Sequence, residues 1–225
     1  MSNVTAVGFV PAAPLLVPAV AGGSAALDAD LRDACRSVVT ALCATEPDAI
    51  VVAAGWRESG SWPSDATWSF DGFGVARDVA DDRPRLPWPL GIGAWLLDDV
   101  GCTCQRAYVA VAPDASADVA IGPPRVAVLT VGDGSARRTE RAPGYLDERA
   151  EQFDATIAAA IREGDTASLR ALDPSLAADL MCAGVPVWRW AIERLGAQSV
   201  TEARLLADTA PYGVGYFAGW WRLSG

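Results

Sequence analysis

The chain has 225 residues and carries 18 cationic against 28 acidic side chains, a formal charge of −10. All of its cations are Arg; with no Lys and no His, the composition excludes Ser-His-Asp and Cys-His nucleophiles, an imidazole base, His-bearing metal sites, Lys Schiff bases and the Walker lysine. An acidic chain that is 51% apolar has the means to fold but no basic stripe, so neither nucleic acid nor an anionic membrane is an expected partner.

In chain order, Thr5 to Val10 reads as a strand, and Pro11 to Gly23 as an apolar loop broken by Pro11, Pro14 and Pro18. Those prolines, and the lack of a cation before Arg32, argue against an export signal and predict a cytoplasmic protein. From Ser24, read as an N-cap, the apolar positions Leu27, Leu31, Ala34, Cys35, Val38, Val39 and Leu42 recur at helical spacing. Ala49 to Ala54 is a continuous apolar run that suits a strand buried on both faces. Strand, helix, strand implies a parallel pair.

Residues 55 to 86 lose periodicity. Within them Trp56, Trp62 and Trp68 read as packing for an irregular segment ahead of a lid over a planar ligand, and Asp71-Gly72 reads as a two-residue hairpin. Gly91 to Val100 predicts a helix, and Arg106 to Val111 and Arg125 to Val131 predict strands. Further helices are expected over Tyr145 to Glu163, from Asp173-Pro174 to near Gly184, and from Pro186 to Gly196. Strands near Ala203 to Ala207 and Val214 to Leu223 flank a Pro211-Tyr212-Gly213 turn, with Tyr216 on the face of Val214, Ala218 and Trp220. The expected fold class is α/β: one domain over residues 1–225, with a mixed, mostly parallel sheet flanked by helices.

The five cysteines, Cys35, Cys43, Cys102, Cys104 and Cys182, are an odd number and predict reduced, buried or half-buried thiols. The C-x-C of Cys102 and Cys104 lacks a second pair to complete a zinc site, so no metal is expected there.

In an open parallel sheet ligands bind beyond the carboxyl ends of the strands. Gly132-Asp133-Gly134-Ser135-Ala136-Arg137 follows one such strand, its glycines suited to close approach of a ligand, and Arg57 and Glu58 follow another. The loops after Val10, Ala54 and Val131 are therefore expected side by side, with Ala12, Arg57, Glu58, Asp133, Ser135, Ala136 and Arg137 as candidate ligand-binding residues.

FVPAAPLLVPAVAGG at the start, VGDGSARRTERAPGYLDERA, DPSLAADLMCAG and the closing PYGVGYFAGWW together resemble the actinobacterial branch of the class III extradiol ring-cleavage dioxygenase (LigB-like) family. The resemblance implies an α/β fold with its site at the strand ends, a non-haem Fe(II) held by two His and one carboxylate, and a further acid-base His. Where that family has V-P-H-P-P-L-L-V-P, this chain has Ala12 in place of the His; Gly55-Trp56-Arg57-Glu58 occupies the region of the second His, and Ala136 follows Gly132 to Ser135 where the acid-base His is expected. Carboxylates alone favour hard cations over Fe(II), so no iron cofactor and no catalytic residue are expected. The leading reading is a catalytically silent, dioxygenase-like protein that binds a small polar or aromatic molecule, or a partner, in the strand-end crevice. Its alternatives are a hydrolase-type enzyme holding a hard cation with Asp133, Glu58 and Asp208, and a structural component of a homo-oligomer.

Overall fold

The computed structural model describes residues 4–22, 29–75, 82–113 and 125–225. Its centre is one seven-stranded mixed sheet in the order β3-β4-β2-β5-β1-β7-β6. The strands are β1 (Val4–Val10), β2 (Ala49–Gly55), β3 (Gly60–Trp62), β4 (Gln105–Val111), β5 (Val126–Val131), β6 (Val200–Thr209) and β7 (Tyr216–Leu223). The four central strands β4, β2, β5 and β1 are parallel, while β7 runs antiparallel to β1, β6 to β7, and β3 to β4.

Apolar side chains alternate across this sheet because successive residues of a strand face opposite sides. Ala6 and Val10 of β1, Val52 and Ala54 of β2 and Leu129 of β5 join one buried cluster, under α2 (Ala29–Cys43) and α3 (Trp88–Asp99). Val7, Phe9, Val51, Ala53 and Val128 join the other, under α4 (Arg149–Glu163), α5 (Thr166–Ala171) and α7 (Gly184–Glu193). Both faces are covered, which is why β2 and β5 read as unbroken apolar runs. The alternation also places Tyr216 with Val214, Ala218 and Trp220 as the sequence implies.

Several boundaries differ from expectation. The Pro11–Gly23 loop contains a short 3-10 turn, Pro14–Leu16, and a four-residue helix α1, Pro18–Ala21. Ser24 and Leu27 lie outside the described residues, and α2 is described from Ala29. Asp71-Gly72 does not form a two-residue hairpin: Asp71–Phe73 is a 3-10 turn closed by Gly74 at φ +79°, inside a bridge between Phe70 and Val75. The helix expected from Tyr145 starts at Arg149, because Tyr145 sits at φ +59° and the Asp147 carboxylate accepts from the Arg149 amide. The helix after Asp173, α6 (Pro174–Asp179), stops well before Gly184, where Met181 turns at φ +55° and the Cys182 amide returns to the Ala177 carbonyl. β3 and α5 have weak sequence signals; α5 is started by Asp165, which accepts from the Ala167 and Ser168 amides. Among the described residues no helix is long and apolar enough to cross a membrane.

Candidate functional site

The three expected loops do lie together at the carboxyl edge of the parallel strands. The Gly132 amide donates to the Val10 carbonyl at 3.0 Å, and the Ala12 amide donates to Asp133 Oδ1 at 2.7 Å, so the segments after β1 and β5 are joined directly. The Trp56 amide donates to the Val111 carbonyl at 2.9 Å, joining the segments after β2 and β4. Beyond these strand ends opens a cleft of about 700 Å³. Its walls are largely apolar: Trp56, Trp88 and Trp190 supply indole surface, and Val111, Val131, Ala177 and Val185 complete it. Trp56 and Trp88 meet edge to face with centroids 6.5 Å apart, and the Arg57 guanidinium stacks 4.9 Å from the centroid of Trp56.

Asp133 is the carboxylate at the base of this cleft. Its backbone carbonyl accepts from the Gly184 amide at 2.9 Å and from Cys182 Sγ at 3.4 Å, and its side chain holds Ala12, so one residue ties together β1, β5 and the turn between α6 and α7. Removal from water disfavours its charged form and outweighs the Ala12 hydrogen bond, pushing its pKa up to about 7. In a chain with no imidazole, this carboxyl takes and releases a proton near neutrality. Cys182 also lines the cleft, but burial pushes its thiol up to about 12, so it is no thiolate nucleophile at neutral pH.

Of the residues singled out from sequence, Ala12, Arg57 and Asp133 line the cleft. Glu58 is exposed outside it. Ser135, expected to offer a hydroxyl to a ligand, is fully buried, and its amide and Oγ both donate to Asp154 of α4 at 2.8 Å. Ala136 is buried with its amide on the Leu180 carbonyl. Arg137 turns away, donating to the Asp179 carbonyl at 2.9 Å and lying 3.8 Å from Asp147. The reason is a zipper against the entry to β7: the Gly134 amide donates to Gly215, the Gly215 amide to Ser135, and the Arg138 amide to Gly213. Residues 134–138 are thereby drawn into the protein.

The glycines of this loop have a different cause from the one expected. Neither Gly132 nor Gly134 adopts positive φ. A Cβ on Gly132 would stand 2.6 Å from Gly184 Cα, and one on Gly134 would stand 2.7 Å from the Phe217 ring, so the close approach is made by the protein's own chain. Three further walls of the cleft go beyond the sequence reading: Val111 to Pro113 after β4, Met181 to Ala183 in the turn before α7, and Arg189, Trp190 and Glu193 on α7. The first was inferable, since β4 is a parallel strand and its following loop belongs on the same edge. Of the indoles, Trp56 lines the cleft while Trp62 and Trp68 pack against the core cluster under α2 and α3.

The lining does not fit Fe(II). Ala12 stands where the resemblance expects an imidazole, and the carboxylates of the lining are those of Asp133 and Glu193. Among the described residues the one group of three potential metal-ligating side chains within 4.8 Å of one another is Cys43, Cys102 and Cys104, so Asp133, Glu58 and Asp208 do not assemble; Asp208 lies exposed on β6. No family model matches the chain, and no curated protein matches it either. Fold and site together define an α/β protein with a largely apolar strand-end cleft and one near-neutral carboxyl at its base.

Proposed function

We propose that this chain is a catalytically silent, extradiol-dioxygenase-like binding protein whose strand-end cleft receives a small ring-bearing molecule with an oxygen substituent. The observation that carries this reading is the cleft of about 700 Å³, walled by Trp56, Trp88 and Trp190, with Asp133 at its base. That volume lies within the range of small-molecule sites, roughly 300–1,000 Å³, which combine apolar walls with a few placed polar groups. Indole edges and faces suit a flat ring. A carboxyl titrating near neutrality donates a hydrogen bond to a ligand carbonyl or carboxylate when protonated, and accepts one from a ligand hydroxyl when ionised. Arg57 and Arg189 on the walls complement an anionic substituent. Silence toward ring cleavage follows from the same lining, since Ala12 supplies no nitrogen ligand and no imidazole exists to relay a proton.

The test is titration of the protein with a panel of hydroxybenzoates and catechols, followed by tryptophan fluorescence and calorimetry, with oxygen consumption recorded in parallel. Saturable binding is expected, weakened about threefold to tenfold by Trp56→Ala, the value of one aromatic contact. Oxygen uptake with any catechol would reject the silent reading, and a flat fluorescence response across the panel would reject a ring-bearing ligand.

A further inference from the structure

At the opposite edge of the sheet from the cleft, where the parallel strands begin, α2 ends on Cys43 and the chain leaves α3 through Cys102-Thr103-Cys104 to enter β4. Residues two apart in an extended segment project to one side. Here that side faces α2: all three cysteines pack against the same core cluster, Cys43 Sγ and Cys102 Sγ are 3.3 Å apart, and the three sulfurs lie within 4.8 Å of one another. We propose that Cys43, Cys102 and Cys104 form a three-thiolate site for a soft d10 metal ion, monovalent copper or zinc.

Three observations support it. The first is geometry: with metal–sulfur bonds of about 2.3 Å, three ligands arranged trigonally around an ion stand roughly 4 Å from one another, so the sulfurs present need move only by fractions of an ångström. The second is donor type: the group is sulfur alone, the set that selects thiophilic ions over hard cations such as Mg²⁺ or Ca²⁺. With three donors and no fourth among the described residues, monovalent copper closes its coordination there, whereas zinc would complete a tetrahedron with water.

The third is rigidity. The Cys102 amide is held by the Leu97 carbonyl at 2.9 Å, Gly101 turns at φ +72°, and the Arg36–Asp99 ion pair at 2.7 Å ties α2 to the end of α3. Arg106, paired with Asp98 at 2.6 Å, donates to the Cys102 carbonyl at 2.9 Å, and Arg125 donates to the Thr45 carbonyl at 2.8 Å, so side chains from β4 and the start of β5 brace the backbone on both sides of the group. Burial pushes the Cys43 thiol up to about 12 and raises that of Cys104, and coordination as thiolate releases protons to solvent as the ion binds.

The experiment uses the full chain, reduced and kept anaerobic, titrated separately with Cu(I) in competition with a chromophoric Cu(I) chelator and with Zn(II) in competition with a chromophoric zinc chelator. Binding of one equivalent of at least one ion is expected, with a sulfur-to-metal charge-transfer band for copper and a raised melting temperature on loading. The two arms state which ion is preferred. Cys43→Ser, Cys102→Ser and Cys104→Ser should each lower the affinity at least a hundredfold, while Cys35→Ala and Cys182→Ala leave the stoichiometry at one. Failure of both ions to bind the wild-type chain, or retention of the equivalent in Cys43→Ser, would overturn the site; circular dichroism of each variant separates lost ligands from lost fold.

Discussion

The segment 132–138 has two sides with opposite fates, and each side meets a carboxylate. Asp133 opens into the cleft and, among the described residues, its side chain accepts from one group, the Ala12 amide. Asp154, on the far side of the same segment, is fully buried and is met by the Ser135 amide, Ser135 Oγ and the Arg138 guanidinium at 3.5 Å. Burial raises the pKa of both. What differs is the number of partners: three donors make Asp154 a structural anchor, whereas a single donor leaves Asp133 a titratable group with a free face toward the cleft. Desolvation alone therefore does not mark a functional carboxylate; desolvation with few partners beside a cavity does.

The largest effect expected from this contrast is at Asp154. Asp154→Ala removes the acceptor from two donors of Ser135 that stay buried, and should cost about 2–4 kcal/mol in a urea or guanidinium melt. Ser135→Ala, which deletes one of those donors along with its need, should cost less. Next comes Gly132→Ala, whose new Cβ would press on Gly184 Cα, a backbone atom with little room to move. Overpacking of this kind costs about 1–3 kcal/mol. Because the strain falls where α7 meets the strand ends, ligand affinity should fall together with thermal stability, measured by calorimetry on the same sample.

Much of this arrangement can be read from residue order, and the part that cannot has a physical reason. The strands at Val4–Val10, Ala49–Gly55 and Val126–Val131, and the second half of Gln105–Val111, announce themselves because both their faces are buried, and parallel pairing then forces their loops onto one edge. That is how Ala12 and Asp133 come together across a separation of 121 in sequence. The zipper between residues 134–138 and 213–215 is invisible because it is made of backbone hydrogen bonds, which carry no side-chain signature. For the same reason Ser135 reads as an available hydroxyl although its partner Asp154 lies on a helix face that, by spacing, should carry apolar groups only. The thiol group illustrates a second limit: the C-x-C spacing is plain, but its third member comes from the end of a distant helix.

The pH dependence of stability bears on the same pair of carboxylates. The folded-state pKa of Asp133 is raised from 3.8 to about 7, so between those values the folded chain holds a proton that the unfolded chain has released. The folded state then binds more protons than the unfolded, and stability falls as pH rises from near 4 through about 7. Asp154 is shifted in the same direction and contributes a slope of the same sign. Asp133→Asn should remove its share and flatten the profile across this window, measured as denaturation midpoint against pH, while also abolishing any change in ligand affinity over the same range. A profile identical to wild type would show that Asp133 titrates as an ordinary exposed carboxyl.

The smallest effect expected is at Arg137, and it separates the two sides of the segment most cleanly when set against Arg57. By sequence position both guanidiniums belong to strand-end loops and both read as ligand contacts. Arg137, however, turns away from the cleft: it donates to the Asp179 carbonyl and lies near Asp147, which already has Arg149 at 2.8 Å, and its Nε is buried without a partner among the described residues. The lost hydrogen bond and the relieved Nε oppose each other, so Arg137→Ala should change stability by no more than about 1 kcal/mol and leave ligand affinity where it was. Arg57 is exposed, stacks on Trp56 and lines the cleft, so Arg57→Ala should leave the melting temperature unchanged and weaken an anionic ligand. Affinity lost through Arg137 and kept through Arg57 would put the ligand on the zipper side of the segment, against the apolar cleft. The reverse pattern, read by calorimetry with one carboxylated ring compound on both variants, ties binding to the side that Asp133 faces.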